Sequence, residues 1–161
     1  MFEPDQLLLA LTNAEVDFIV IGGVAVGVHG FARATKDLDI VPEPSPENLN
    51  RLARLLGELN ATHAGLADPS PDEFPFDPTD PLQLAQGTNF RLETSLGPID
   101  IMQWVAGIET ESAYNELEPA ALHVSFRGTQ VRVCGLEHLL AMKRAAGRPE
   151  DLKDLQALGE P

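Results

Sequence analysis

The chain has 161 residues, 43% of them apolar, and a formal charge of −14, a size that suits one domain built on one core. Such a charge repels bare nucleic acid at long range and argues against a general DNA-binding module, although Arg33, Lys36, Lys143, Arg144 and Arg148 could still be gathered into a local basic pocket. No apolar run approaches the roughly 18–20 residues of a membrane span, the start MFEPDQLLLA lacks a basic leader, and Cys134 has no second cysteine to pair with, so the chain reads as cytoplasmic with no membrane partner.

In chain order, Pro4 to Ala14 reads as a helix with Leu7, Leu8 and Leu11 at helical spacing. Asp17 to Ile21 reads as a strand that stops at Gly22-Gly23, and Val24 to His29 as a small-residue helix closed by Gly30. Asp37 to Val41 is a second predicted strand, ended by Pro42 and Pro44. Ser45 as N-cap and Pro46 as first helical residue start a helix to about Asn60, striped by Leu49, Leu52, Leu55, Leu56 and Leu59. The proline- and acid-dense stretch 68–81 reads as a long loop or lid. Asn89 to Ser95 and Pro98 to Val105 read as strands joined at Leu96-Gly97, and Thr110 to Leu117 as a helix. Leu122 to Phe126 and Gln130 to Val133 form a predicted hairpin around Arg127-Gly128-Thr129. Leu136 to Ala146, ended by Gly147, and Pro149 to Leu158 are the last two helices. With no internal repeat, 1–161 reads as a single α+β domain, a mixed β-sheet flanked by helices.

The chemistry is carried by carboxylates. Aspartate is a poor strand former, yet Asp37 and Asp39 sit two apart on a predicted strand and so project to one side, with Leu38 and Ile40 on the other. Two like charges so close either lie solvated on an edge strand or share a cation, and hard Mg²⁺ takes carboxylate and phosphate oxygens together. Gly22-Gly23, between a strand and a short helix, supplies either a tight turn or a backbone that can approach a phosphate. Asp100, in Pro98-Ile99-Asp100-Ile101-Met102, is the candidate third acid, with Glu93 on the preceding strand as its rival. Arg33 is a candidate phosphate contact and Lys36 a solvated loop charge. Lys143 or Arg144 could reach the same phosphates, and Arg148 with Asp151 reads as an ion pair tying the last two helices. His29 and Cys134 read as structural, and Trp104 as core, with base stacking as its alternative.

The stretch from Ile21 to Ile40 resembles the signature of the DNA polymerase β-like nucleotidyltransferases: Gly-Gly or Gly-Ser at a strand end, then Asp-x-Asp or Asp-x-Glu on the next strand. Arg33-Ala34-Thr35 and the tail from Leu139 to Leu155 resemble a bacterial branch related to abortive-infection (AbiEii-type) toxin nucleotidyltransferases. The resemblance implies the polymerase β-like nucleotidyltransferase fold, with Asp37, Asp39 and Asp100 holding two Mg²⁺ ions. It implies further that Gly22 and Gly23 hold the phosphates, that Asp100 assists the acceptor hydroxyl, and that Lys143 rather than Arg144 is the phosphate contact. The implied activity is Mg-dependent transfer of a nucleoside monophosphate from an NTP to a hydroxyl of a transfer RNA end, a protein or a small molecule such as an aminoglycoside. RNA or protein ranks ahead of the small molecule, and a toxin role would bring an antitoxin protein as partner. The alternative is a non-catalytic nucleotide- or partner-binding protein that kept the fold.

Overall fold

A computed structural model describes residues 2–64 and 77–160, so the 68–81 loop lies outside the described residues except for its last five positions. The elements in order are α1 (Asp5–Asn13), β1 (Phe18–Ile21), α2 (Gly22–Val28), β2 (Leu38–Pro42), α3 (Pro46–Glu58), β3 (Thr62–His63), α4 (Pro81–Leu84), β4 (Phe90–Thr94) and β5 (Gly97–Ile101). After these come α5 (Ala113–Leu117), a 3₁₀ turn (Glu118–Ala120), β6 (Leu122–Phe126), β7 (Thr129–Val133), α6 (Leu136–Ala146) and α7 (Pro149–Ala157).

The seven strands make one mixed sheet in the order β3-β4-β5-β2-β1-β7-β6. The all-apolar β1, Phe18-Ile19-Val20-Ile21, is buried at every position, as a strand covered on both faces must be. It runs antiparallel to β2 and parallel to β7. β2 in turn runs parallel to β5, and this pairing places the site. Leu38, Ile40, Ile99 and Ile101 turn to the interior and are at most 1% exposed, so the alternate residues of both strands face the other way.

The helix that follows β2 is anchored by one buried amide. Asn48 on α3 accepts from the Asp17 N–H at 2.7 Å and donates to the Asp17 and Glu43 carbonyls at 2.8 Å each. It is fully buried and fully bonded, which fixes α3 against the entry to β1 and the exit from β2.

Several boundaries differ from the sequence reading, each for a local reason. Gly22 and Gly23 are already the first turn of α2, not a turn before it. Thr94 pairs with Gly97, so the β4–β5 turn is Ser95-Leu96, with Gly97 at φ +114 taking the conformation other residues avoid. Phe126 pairs with Thr129, leaving a two-residue turn in which Arg127 and Gly128 both have positive φ, as a type I′ turn requires. β5 ends at Ile101 rather than Val105, because Asn89 captures the backbone of Gln103 and Trp104 through its side chain. The two-residue β3 and four-residue α4 are too short to leave a periodic signal.

Candidate active site

Along the β2–β5 ladder Asp39 and Asp100 are register partners, so the two carboxylates stand side by side on the face opposite Leu38 and Ile99. Asp37 precedes β2 by one residue. Its carbonyl accepts from the Thr35 hydroxyl at 2.9 Å, which fixes the loop that leads into the strand. The sheet thus brings the three aspartates together. Glu93, the rival acid, pairs with Pro98 farther along the hairpin and is exposed to solvent.

β1 delivers the glycines to the same place. Ile21 is the register partner of Asp39, and α2 begins on the next residue. Gly22 sits at φ +69, and a Cβ built on it would lie 2.0 Å from Asp39 Oδ2. No larger residue fits while the Asp39 carboxylate leans over this backbone. A Cβ on Gly23 would stand 2.9 Å from Thr35 Oγ1, so the 33–35 loop closes over the second glycine. Gly22→Ala is therefore expected to lower the melting temperature by several degrees, since the left-handed conformation alone costs roughly 1–2 kcal/mol for a residue with a Cβ. Gly27→Ala, where an added Cβ meets nothing within 4 Å and alanine is the better helix former, is the matched control and should melt no lower than the parent in the same thermal scan.

Burial and mutual repulsion control the charge state of the trio. Burial first, then the charges of Asp37 and Asp100, push the Asp39 carboxyl up to about 7, against the pull of Lys143 and Arg148. Asp100 is also raised, by burial and by Asp37, and is held back by Arg91. Arg91 is its cross-strand neighbour on β4, with Nε 3.4 Å from Oδ2. The other oxygen, Asp100 Oδ1, is buried with no hydrogen-bond partner. A buried carboxylate oxygen left open beside two more acids is what a bound cation would satisfy. The donor set therefore fits a hard divalent ion, although among the described residues no three such side chains are already drawn in to ligating geometry.

The basic residues lie in a different arrangement from the one expected. Arg33 does line the cavity, but its guanidinium grips Asp154 with two bonds of 2.8 and 2.9 Å and reaches Glu150 at 2.9 Å. Lys143 is buried on α6 and lies 2.9 Å from both Asp151 and Asp154 on α7. Arg148 caps α7 through Asp151, three residues on in the same helix. This corrects the expectation that Arg148 and Asp151 join the last two helices, because Lys143 makes that join. Burial alone would raise Asp151, but its bonds from Arg148 and Lys143 win and hold it at about 2. Arg144 is exposed and bonded to Glu160, whereas Lys143 lines the cavity.

The cavity in front of the aspartates has a volume of about 400 Å³, within the usual range for small-ligand sites. Trp104 stands at its wall with 64% of its surface exposed, so it is not a core residue as expected. His29 and Cys134 are structural: His29 Nε2 lies 2.8 Å from the Cys134 carbonyl, and burial pushes the Cys134 thiol up to about 12. Arg91 and Asp154 were not singled out from the sequence. Arg91 becomes visible only once β4 and β5 are in register, and Asp154 looks like one more acid in an acidic tail.

A seven-stranded mixed sheet flanked by helices, with a helix directly after β1, is the nucleotidyltransferase fold. Solved structures bear this out along almost the whole chain. A protein of Thermotoga maritima provisionally assigned as a nucleotidyltransferase superposes with a TM-score of 0.57 at 17% identity, over 98% of this chain and 94% of its own. A nucleotidyltransferase-like antigenic protein of Paracoccidioides brasiliensis gives 0.56 at 15% identity, over 96% and 71%. The antibiotic-resistance factor ANT(2'')-Ia gives 0.55 at 17% identity, over 96% and 81%, and its complex with adenylyl-2''-tobramycin gives 0.53 at 17%, over 95% and 86%. No protein-family model and no curated protein matches the sequence.

Proposed function

We propose that this protein transfers a nucleoside monophosphate from an NTP to a hydroxyl group, with Asp37, Asp39 and Asp100 as the metal-binding and catalytic carboxylates. The observation that carries the proposal is the register pairing of Asp39 with Asp100 beside Gly22, with Asp100 Oδ1 left open. Asp37, Asp39 and Asp100 are the residues that would hold two Mg²⁺ ions. Bound there, the ions supply charge neutralisation for the attacking and leaving oxygens of an in-line displacement. The protein's own groups do the rest. The amides of Gly22 and Gly23, in the first turn of α2 and at the cavity lining, are the phosphate-binding groups in this reading. Arg33 and Lys143 line the cavity, each oriented by its ion pairs to α7, and are the candidate phosphate contacts. Asp100, raised by burial and by Asp37, is the group suited to accept the proton of the acceptor hydroxyl.

For the acceptor, a small cationic hydroxyl compound has gained on the RNA or protein that the sequence resemblance ranks first. The net charge of −14 and pI near 4.5 oppose a polyanion and attract a cation. ANT(2'')-Ia, whose fold this chain shares, is a resistance factor seen with an adenylylated aminoglycoside. A toxin role with an antitoxin partner has the sequence resemblance alone in its support. Calorimetric titration with each NTP tests the site: binding is expected with Mg²⁺, and neither in EDTA nor in Asp37→Ala. Equal binding by parent and Asp37→Ala would remove the aspartates from the proposal.

A further inference from the structure

The cavity lining is of two chemical kinds. The aspartates, Arg91, Lys143 and Arg148 are charged and suited to phosphate and cation. Met102, Trp104 and Val105 after β5 and Leu139, Met142 and Ala146 on α6 are apolar. A nucleotide combines the same two chemistries, a polyanionic chain and a flat aromatic base.

The backbone that carries Trp104 is held by side-chain hydrogen bonds. Asn89 Oδ1 accepts from the backbone N–H of Gln103 at 2.7 Å and of Trp104 at 2.9 Å, and Asn89 Nδ2 donates to the Trp104 carbonyl at 2.9 Å. Gln103 Nε2 donates to the Leu84 and Thr88 carbonyls at 2.9 and 2.8 Å. Just beyond, Gly107 at φ +90 lies so close to α6 that a Cβ there would stand 2.6 Å from the Ala141 carbonyl oxygen. The backbone is therefore fixed on both sides of an indole that is 64% exposed at the cavity. Such pinning spares the cost of ordering this stretch of backbone on binding.

We propose that Trp104 is the platform on which the nucleobase of the triphosphate stacks. The proposal rests on the reading of this cavity as an NTP site and adds to it the residue that holds the base. Stacking accepts any base because every base has a π-face, so this contact by itself does not choose among the four NTPs.

Trp104 is the only tryptophan in the chain, so its emission reports on this position alone. The test uses α,β-methylene analogues of the four NTPs and inorganic tripolyphosphate, each with Mg²⁺, followed by tryptophan fluorescence and calorimetry. The analogues should quench or shift the emission with the affinity that calorimetry gives, while tripolyphosphate binds and leaves the emission nearly unchanged. Trp104→Ala should weaken the analogues about tenfold and leave tripolyphosphate untouched, and Trp104→Phe should keep most of the affinity. Unchanged analogue affinity in Trp104→Ala, or equal loss for analogue and tripolyphosphate, overturns the assignment. Binding of neither probe to the parent overturns the NTP reading of the cavity, and the stacking assignment falls with it.

Discussion

Asp39→Asn is expected to make the metal-free protein more stable and to abolish transfer. The Asp39 carboxyl stands at about 7 in the folded chain against 3.8 for an unperturbed aspartate, raised by burial and by its two acidic neighbours. A raised value means that the fold favours the protonated form. Its stabilising contribution is whole below about pH 4 and is lost as pH climbs through 7. Asparagine never ionises, so the gain over the parent should be small at pH 4 and largest at pH 8. A shift from 3.8 to about 7 converts to on the order of 2–4 kcal/mol, or roughly 5–10 °C in melting temperature for a chain of this size. Melting in EDTA at pH 5 and pH 8 checks this, and a parent that outlasts the variant at pH 8 would contradict it. Adding Mg²⁺ should stabilise the parent and not the variant, which separates stored repulsion from a mere packing change. The same repulsion that weakens the empty site is what a cation would relieve.

Asp154→Ala is expected to be the most destabilising change outside the core. Asp154 is fully buried, takes two bonds from Arg33 and lies 2.9 Å from Lys143. Its removal leaves a buried ammonium with one carboxylate in place of two, and frees the loop that carries Arg33 toward Asp37. Breaking a buried pair by deleting one partner costs about 3–5 kcal/mol. Urea denaturation should show that loss, whereas Glu150→Ala, which removes the exposed end of the same network, should fall within about 1 kcal/mol of the parent. Equal effects at the two positions would show that α7 is not held through Asp154.

The parts of this arrangement that follow from local periodicity were legible in the sequence. Asp37 and Asp39 stand out because two aspartates alternate with Leu38 and Ile40, a pattern that fits a strand with one polar face, although β2 begins at Leu38 and leaves Asp37 one residue before it. Leu136–Ala146 is bounded as expected because Gly147 at φ +60 ends it by its own backbone. Asp100 is preferred to Glu93 in the sequence for its apolar flanks and the family resemblance, but its place beside Asp39 comes from the parallel β2–β5 register, a long-range pairing that no local window contains. The fate of the basic residues was hidden for the same reason. Arg33 and Asp154 are 121 positions apart, and neither carries a mark of the other. Trp104 reads from the sequence as core, because large aromatics usually are, with base stacking as its alternative, and the structure leaves it exposed. Its exposure comes from the Asn89 clamp that ends β5 early, a side-chain-to-backbone contact across 15 residues.

The most direct measurement of the central claim uses NTPs labelled at either end. With Mg²⁺ and a panel of hydroxyl acceptors (an aminoglycoside, transfer RNA and a protein extract), label at the α-phosphate should pass to an acceptor. Label at the γ-phosphate should leave as pyrophosphate, and both events should cease in Asp39→Asn and Asp100→Asn. Transfer of the γ-label, or α-label transfer that survives in those two variants, would contradict a nucleotidyltransferase built on the three aspartates.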